Sequence, residues 1–249
     1  MFNKIKLNSF LKRSLLFTLL ISFPVLAQKG KNEVKPIPKP QSFITHHQGV
    51  FNGKTIKYLA SAKETYLKNK QGDPVASIWS VAYTQEGVKR SKKPVTFVFN
   101  GGPGSASVWL QMGFFGPKIV KVDSDAKKDD GAAPYILNNN KNGLLDITDL
   151  VFIDPVGTGY SRVVGKGKEK DYWGLNEDAR SIAKFMRLWV TENNRWNAPK
   201  YIAGESFGTT RAVAVANVLE RGGQNMALNG LVLISQALDY EDQPQKWII

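Results

Sequence analysis

Cysteine is absent from this 249-residue chain, and histidine occurs only twice. The first absence excludes disulfides, thiolate-bound zinc and a thiol nucleophile. The second leaves little material for an imidazole base, because His46 and His47 are adjacent in a polar region and read as solvated loop residues. No spacing of ligand residues implies a metal or an organic cofactor. Long apolar runs are lacking too. The longest, residues 15–26, has 12 residues, whereas a bilayer span needs about 20. It follows Lys4, Lys6, Lys12 and Arg13 and ends at Val25-Leu26-Ala27. Basic start, short apolar core and small terminal residue make residues 1–27 a secretory signal peptide, cleaved near Ala27. The expected location is therefore secreted or periplasmic, with no stable membrane anchor.

What is present is ordinary globular material, with 42% hydrophobic and 22% charged residues. The formal charge is +13. Part of it belongs to the signal, and the rest is scattered through Lys29, Lys31, Lys35 and Lys39 in one segment and Lys166, Lys168 and Lys170 in another. No recognition helix or aromatic platform accompanies it, so nucleic acid is not an expected partner.

Residues 28–48 carry Pro36, Pro38 and Pro40 among lysines and read as a polar leader. Two alternating runs, Val50–Ala62 and Pro74–Thr84, predict an antiparallel pair at a sheet edge. From residue 94 short apolar runs alternate with helix-length segments. Val95–Phe99, Leu150–Ile153, Tyr201–Ala203 and Leu231–Ile234 read as buried strands of a mostly parallel sheet. A helix is expected from an N-cap at Asn176, and a second from Phe207 to Arg221, stopped by Gly222-Gly223. The pattern predicts an α/β fold over residues 49–249, with helices on both faces and its site at the carboxyl ends of the strands.

Gly204-Glu205-Ser206-Phe207-Gly208 is the sole G-x-S-x-G in the chain, and it falls between a short strand and a helix. That context predicts a nucleophile elbow, a sharp turn that projects the Ser206 hydroxyl into a cleft at a helix N-terminus. A second Gly-rich segment, Asn100-Gly101-Gly102-Pro103-Gly104-Ser105, follows the strand Val95–Phe99. Its glycines allow backbone N–H groups to turn inward, although the composition alone also fits a plain turn. Asp154–Ser161 reads as wall and scaffold, because Ser161 lacks the elbow pattern.

Four segments in order resemble the serine carboxypeptidase family, the S10 peptidases: Asn100–Ser105 (NGGPGS), Phe115-Gly116-Pro117, Asp154–Ser161 (DPVGTGYS) and Gly204–Gly208 (GESFG). The resemblance spans residues 95–235. It implies an α/β-hydrolase fold in which Ser206 is the acylated nucleophile and Gly102 and Phe207 supply two oxyanion N–H groups. It also implies that Asn100 and Glu205 hydrogen-bond the free carboxylate of a peptide substrate. A carboxylate beside Glu205 would have to share a proton with it, so peptide binding is expected to strengthen in acid. Val98 stands where many members have tryptophan, Thr209-Thr210 follow the elbow, and the cysteines of eukaryotic members are missing. These departures point to a bacterial, disulfide-free branch.

The triad order in this fold is Ser, then Asp or Glu, then His. After Ser206 come 43 residues without a histidine. Asp239 and Asp242 follow the strand Leu231–Ile234, too early for the triad carboxylate. The catalytic Asp and His are thus read as absent, the α/β-hydrolase domain as lacking its carboxyl-terminal part, and the chain as close to inactive alone. Two other readings use the same motifs: an acyltransferase, and a non-catalytic binder of peptide C-termini.

Overall fold

The computed structural model describes residues 36–121 and 133–237. The expected signal peptide, the start of the leader, and Asp239 and Asp242 lie outside them.

Ten strands and three α-helices make up the described residues. Strands β1 (Ser42–Phe51), β2 (Lys54–Lys68) and β3 (Pro74–Gln85) form an antiparallel meander. Strands β4 (Val95–Phe99), β7 (Asp149–Ile153), β9 (Lys200–Glu205) and β10 (Gly230–Ile234) form a parallel set. The sheet order is β1-β2-β3-β7-β4-β9-β10, with β3 pairing antiparallel to β7 and the two-residue β8 (Arg162–Val163) also on β3. Strands β5 (Lys118–Val120) and β6 (Leu137–Asn139) make a separate hairpin sheet.

The central strands form where the sequence is continuously apolar, because both of their faces are covered. All five residues of β4 and of β7 are buried. Phe97, Phe99, Val151, Ile153 and Ile202 point to one face, and Val98, Leu150, Phe152 and Ala203 to the other. Each large side chain removed from water contributes roughly 1.5–3 kcal/mol before the cost of ordering it. Helices α2 (Leu175–Glu192) and α3 (Phe207–Arg221) share the first face and pack on each other through Ile182, Met186, Ala212 and Val215. The other face is covered by a single turn, α1 (Val108–Leu110), its π-helical continuation Gln111–Phe115, and the loop bearing Leu145.

Two expectations need correction. The run 50–62 is not one strand: Asn52 and Gly53 take φ of +48° and +80° and join β1 to β2 with Phe51 opposite Lys54. Asn-Gly is the pair that a two-residue type I′ hairpin demands. The polar leader therefore ends before Ser42, and residues 42–48 pair with β2 mainly through the backbone, their side chains nearly all exposed. Such a strand leaves no hydrophobic period to read. Likewise α2 starts two residues before the expected cap, at the N-cap Gly174, so Asn176 lies inside the first turn. A Cβ on Gly174 would fall 2.0 Å from the Glu177 carboxylate, which folds back over the helix start as the third residue of a capping box does.

Candidate active site

Strands β4 and β9 are neighbours with Phe99 opposite Gly204, so the chain leaves the sheet at Asn100 and at Glu205 side by side. This register brings Asn100, Gly102, Glu205, Ser206 and Phe207 to one end of the sheet. They arrive from segments more than 100 positions apart in the sequence.

Ser206 occupies φ +56° and ψ −126° between β9 and α3. A serine there is held against its own steric preference, at a cost of about 1–3 kcal/mol that the surroundings must offset. Those surroundings are specific. The Ser206 N–H donates to the Ile234 carbonyl at 3.0 Å, tying the turn to β10, and the Ser206 carbonyl accepts from the Thr209 N–H at 2.9 Å and its hydroxyl at 2.7 Å. A Cβ on Gly204 would stand 2.1 Å from the Gly208 carbonyl oxygen, so the flanking glycines touch across the turn. Phe207 is the first residue of α3, where helix geometry leaves the backbone N–H without an intrahelical acceptor.

The Gly-rich loop lies directly against this turn. A Cβ on Gly101 would sit 2.5 Å from the Phe207 nitrogen and 2.6 Å from the Glu205 carbonyl oxygen. Gly101 is thus a site residue that the sequence reading left out, since nothing in the order of glycines says which of them must accept the elbow. Gly102 next to it has φ +106°. The Asn100 side chain is fixed at both ends: Nδ2 donates to Glu205 Oε2 at 3.2 Å, and Oδ1 accepts from the Leu110 N–H at 3.0 Å. One Nδ2 hydrogen remains for a ligand.

A second residue missed in the sequence is Arg211, on α3 and only 1% exposed. Its Nε donates to Asp178 Oδ2 at 2.6 Å, one terminal nitrogen to the Asn100 carbonyl at 2.6 Å, and the other to the Pro103 carbonyl at 3.1 Å. The guanidinium also lies over the rings of Phe99 and Phe207, at 5.5 and 5.3 Å from their centres. Asp178, from α2, is mostly buried; burial raises its carboxyl above the usual aspartate range, and Arg211 opposes that rise. In sequence nothing distinguishes Asp178 from any acid in the first turn of a helix. Both residues line a cavity of about 190 Å³ with Pro103, Tyr172, Trp173 and Phe207.

Around the strand β7 exit, Asp154 Oδ1 accepts from the Ser107 N–H at 2.8 Å, and burial pushes its carboxyl up against the pull of the Ser107 and Tyr160 N–H groups. The Ser161 hydroxyl donates to the Asp154 carbonyl and accepts from the Trp79 N–H, both at 2.7 Å. Ser161 is a structural hydroxyl. The two histidines are not loop residues, a further correction: they lie on the edge strand β1, His46 bonded to Glu86 at 3.0 Å and His47 stacked on Tyr58. Five strand steps separate β1 from β9, on the order of 24 Å at the usual spacing, so neither is placed to take the Ser206 proton. Among the described residues no group of three or more His, Cys, Asp or Glu could hold a metal ion, and no helix is long and apolar enough to cross a membrane.

The family model for serine carboxypeptidase matches residues 63–248. Serine carboxypeptidase-like 51 of Arabidopsis thaliana is 28% identical over 160 residues, which are 62% of this chain and 32% of that protein. The chain spans about a third of the length of this relative. A prohormone-processing carboxypeptidase from Saccharomyces cerevisiae superposes with a TM-score of 0.49 at 19% identity, over 78% of this chain and 38% of that one. A peroxisomal alpha-beta-hydrolase from the same yeast gives 0.40 at 17% identity, over 83% and 48%. With the family match covering about three quarters of its length, this chain belongs to the serine carboxypeptidase family.

Proposed function

We propose that the chain carries the nucleophile, the oxyanion loop and the carboxylate-recognition pair of an exported serine-type carboxypeptidase that releases C-terminal residues from peptides through an acyl-enzyme. The observation that carries this reading is the strained Ser206 turn, at the mouth of α3, with Gly101 backed onto its amides. In this reading the Ser206 hydroxyl attacks the last peptide carbonyl, and the oxygen, as it becomes an anion, is met by the N–H groups of Phe207 and Gly102. Asn100, steadied by Glu205 and the Leu110 N–H, donates its remaining hydrogen to the substrate's terminal carboxylate. Glu205 supplies the second group there, which limits the substrates to peptides with a free C-terminus.

Deprotonating Ser206 needs a base. The 249 residues hold no histidine beyond the distant pair on β1, so this polypeptide by itself should turn peptide over near background. Removing a triad member leaves only about 10³–10⁴-fold catalysis over water. Binding is the direct test. Titration of the chain with an N-blocked dipeptide and with its C-terminal amide should show the acid bound at least tenfold more tightly at pH 5, a preference lost in Asn100→Ala. Equal affinity for acid and amide would overturn carboxylate recognition and leave the acyltransferase reading, for which product analysis with an alcohol acceptor is the discriminating measurement.

A further inference from the structure

Gly102 has a mobile kind of backbone and a demanding place. Its φ of +106° is open to glycine, yet the loop around it bears no regular secondary structure. Within the loop one bond, from the Ser105 N–H to the Gly101 carbonyl at 3.1 Å, closes the turn, and further bonds come from outside it. The Arg211 guanidinium grips the loop on both sides of that amide, at the Asn100 carbonyl (2.6 Å) and the Pro103 carbonyl (3.1 Å). Its own position is set in turn by Asp178 on α2 and by the rings of Phe99 and Phe207. A planar fork with fixed donor directions can hold two carbonyls and one carboxylate together; an ammonium on a flexible stem cannot do so with the same geometry.

We infer that Arg211 is a positioning residue for the oxyanion loop: bridged to Asp178, it clamps the Asn100 and Pro103 carbonyls so that the intervening Gly102 N–H faces the Ser206 oxygen. This rests on the reading of Ser206 and Gly102 proposed above. The same clamp holds the backbone that carries the Asn100 side chain, but that side chain has its own bonds to Glu205 and Leu110. Loss of the clamp should therefore harm oxyanion binding far more than carboxylate binding. The placement also couples the loop to the nucleophile's helix, since Arg211 leaves α3 one turn after Phe207.

The test separates anion stabilisation from ground-state binding. A peptidyl boronic acid takes the Oγ of a nucleophilic serine as the fourth ligand of boron, the hydroxyl proton passing to solvent, and presents an anionic tetrahedral boronate to the oxyanion donors. A dipeptide with a free carboxylate reports binding without that anion. Affinities for both probes are measured on the full chain, Arg211→Lys, Arg211→Met, Asp178→Asn and Ser206→Ala, together with hydrogen exchange over residues 100–105. Boronate affinity should fall about a hundredfold in Arg211→Met, the scale of one lost oxyanion donor, and about tenfold in Arg211→Lys and Asp178→Asn. Dipeptide affinity should stay within about twofold, and exchange in residues 100–105 should quicken about tenfold in Arg211→Met with α2 unchanged. Asp178→Asn keeps the guanidinium but weakens its anchor, and decides the matter if Arg211→Met fails to fold. Boronate and dipeptide affinities falling together, or unchanged exchange in the loop, would overturn the clamp. If the unsubstituted chain binds boronate no better than Ser206→Ala, the nucleophile reading fails, and the loop exchange still decides whether Arg211 holds the backbone.

Discussion

The parallel strands have a buried arginine–aspartate pair at each end, and the two pairs differ in what their spare hydrogen bonds hold. At the amino ends, Arg195 bonds Asp149 and also reaches the carbonyls of Arg90 and Lys93, while the other Asp149 oxygen accepts from the Gln85 N–H at 2.8 Å. Gln85 ends β3 and Asp149 begins β7, while Arg90 and Lys93 lie in the turn that leads into β4 and Arg195 follows α2, so the pair stitches these connections into one frame. Burial, with a smaller push from Arg90, brings the Arg195 guanidinium down to about 10. At the carboxyl ends, Arg211 and Asp178 hold a glycine-rich loop instead. The same pairing thus ties strand connections together at one end of the sheet and holds the glycine-rich loop beside Ser206 at the other.

The contrast can be broken first at the scaffold end. Asp149→Ala leaves Arg195 buried at 1% exposure without its carboxylate, and should cost about 3–5 kcal/mol. Urea unfolding would read it, and a loss below 1 kcal/mol would show that the frame does not depend on the pair. At the site end, Ser206→Gly should stabilise the chain by about 1 kcal/mol, because glycine accepts φ +56° without the serine's steric cost. A melting temperature that falls would mean the turn is not strained.

Between these lies a pH effect at the β7 exit. Burial raises the Asp154 carboxyl, so the folded chain favours its protonated form. That contribution is fully present below the unfolded value of about 3.9 and is lost as pH rises through the raised folded value. The stability of the chain relative to Asp154→Asn, followed by thermal melts from acid to neutral pH, should therefore decline; a flat difference would show that Asp154 does not titrate in the folded chain. The smallest effect sharpens the comparison by removing burial. Lys63 and Glu192 pair at 2.6 Å with side chains 39% and 48% exposed, and Lys63→Ala should cost only about 0.2–1 kcal/mol, less in high salt.

How much of this could be read from the amino acids depends on which physical term leaves a trace in them. Buried strands do, because two covered faces require unbroken apolar runs, and β4 begins and ends where Val95 and Phe99 predict. The α/β alternation and the Ser206 elbow were legible for the same reason, since a strand, a sharp turn and a helix each constrain residue type. β1 was not, because its residues are exposed and its pairing is made by backbone atoms common to all residues. The Asn52-Gly53 turn did leave a trace, and the apolar alternation on either side masked it. Arg211 and Asp178 left none: a charged residue on a helix ordinarily faces water, and only the fold shows these two facing inward. Gly101 lies between these cases, visible as part of a glycine cluster but singled out only because a Cβ there would meet the Phe207 nitrogen at 2.5 Å.

The bond from the Ser206 N–H to the Ile234 carbonyl, with Ala237 joined to Thr209 just beyond, sets an order of events during synthesis. A ribosome that has delivered the whole G-E-S-F-G sequence has delivered a serine without its geometry. The turn acquires its last backbone partners only when β10, some thirty residues later in the chain, emerges and docks beside β9. Until then the segment lacks the bonds that hold Ser206 at φ +56° and is free to relax.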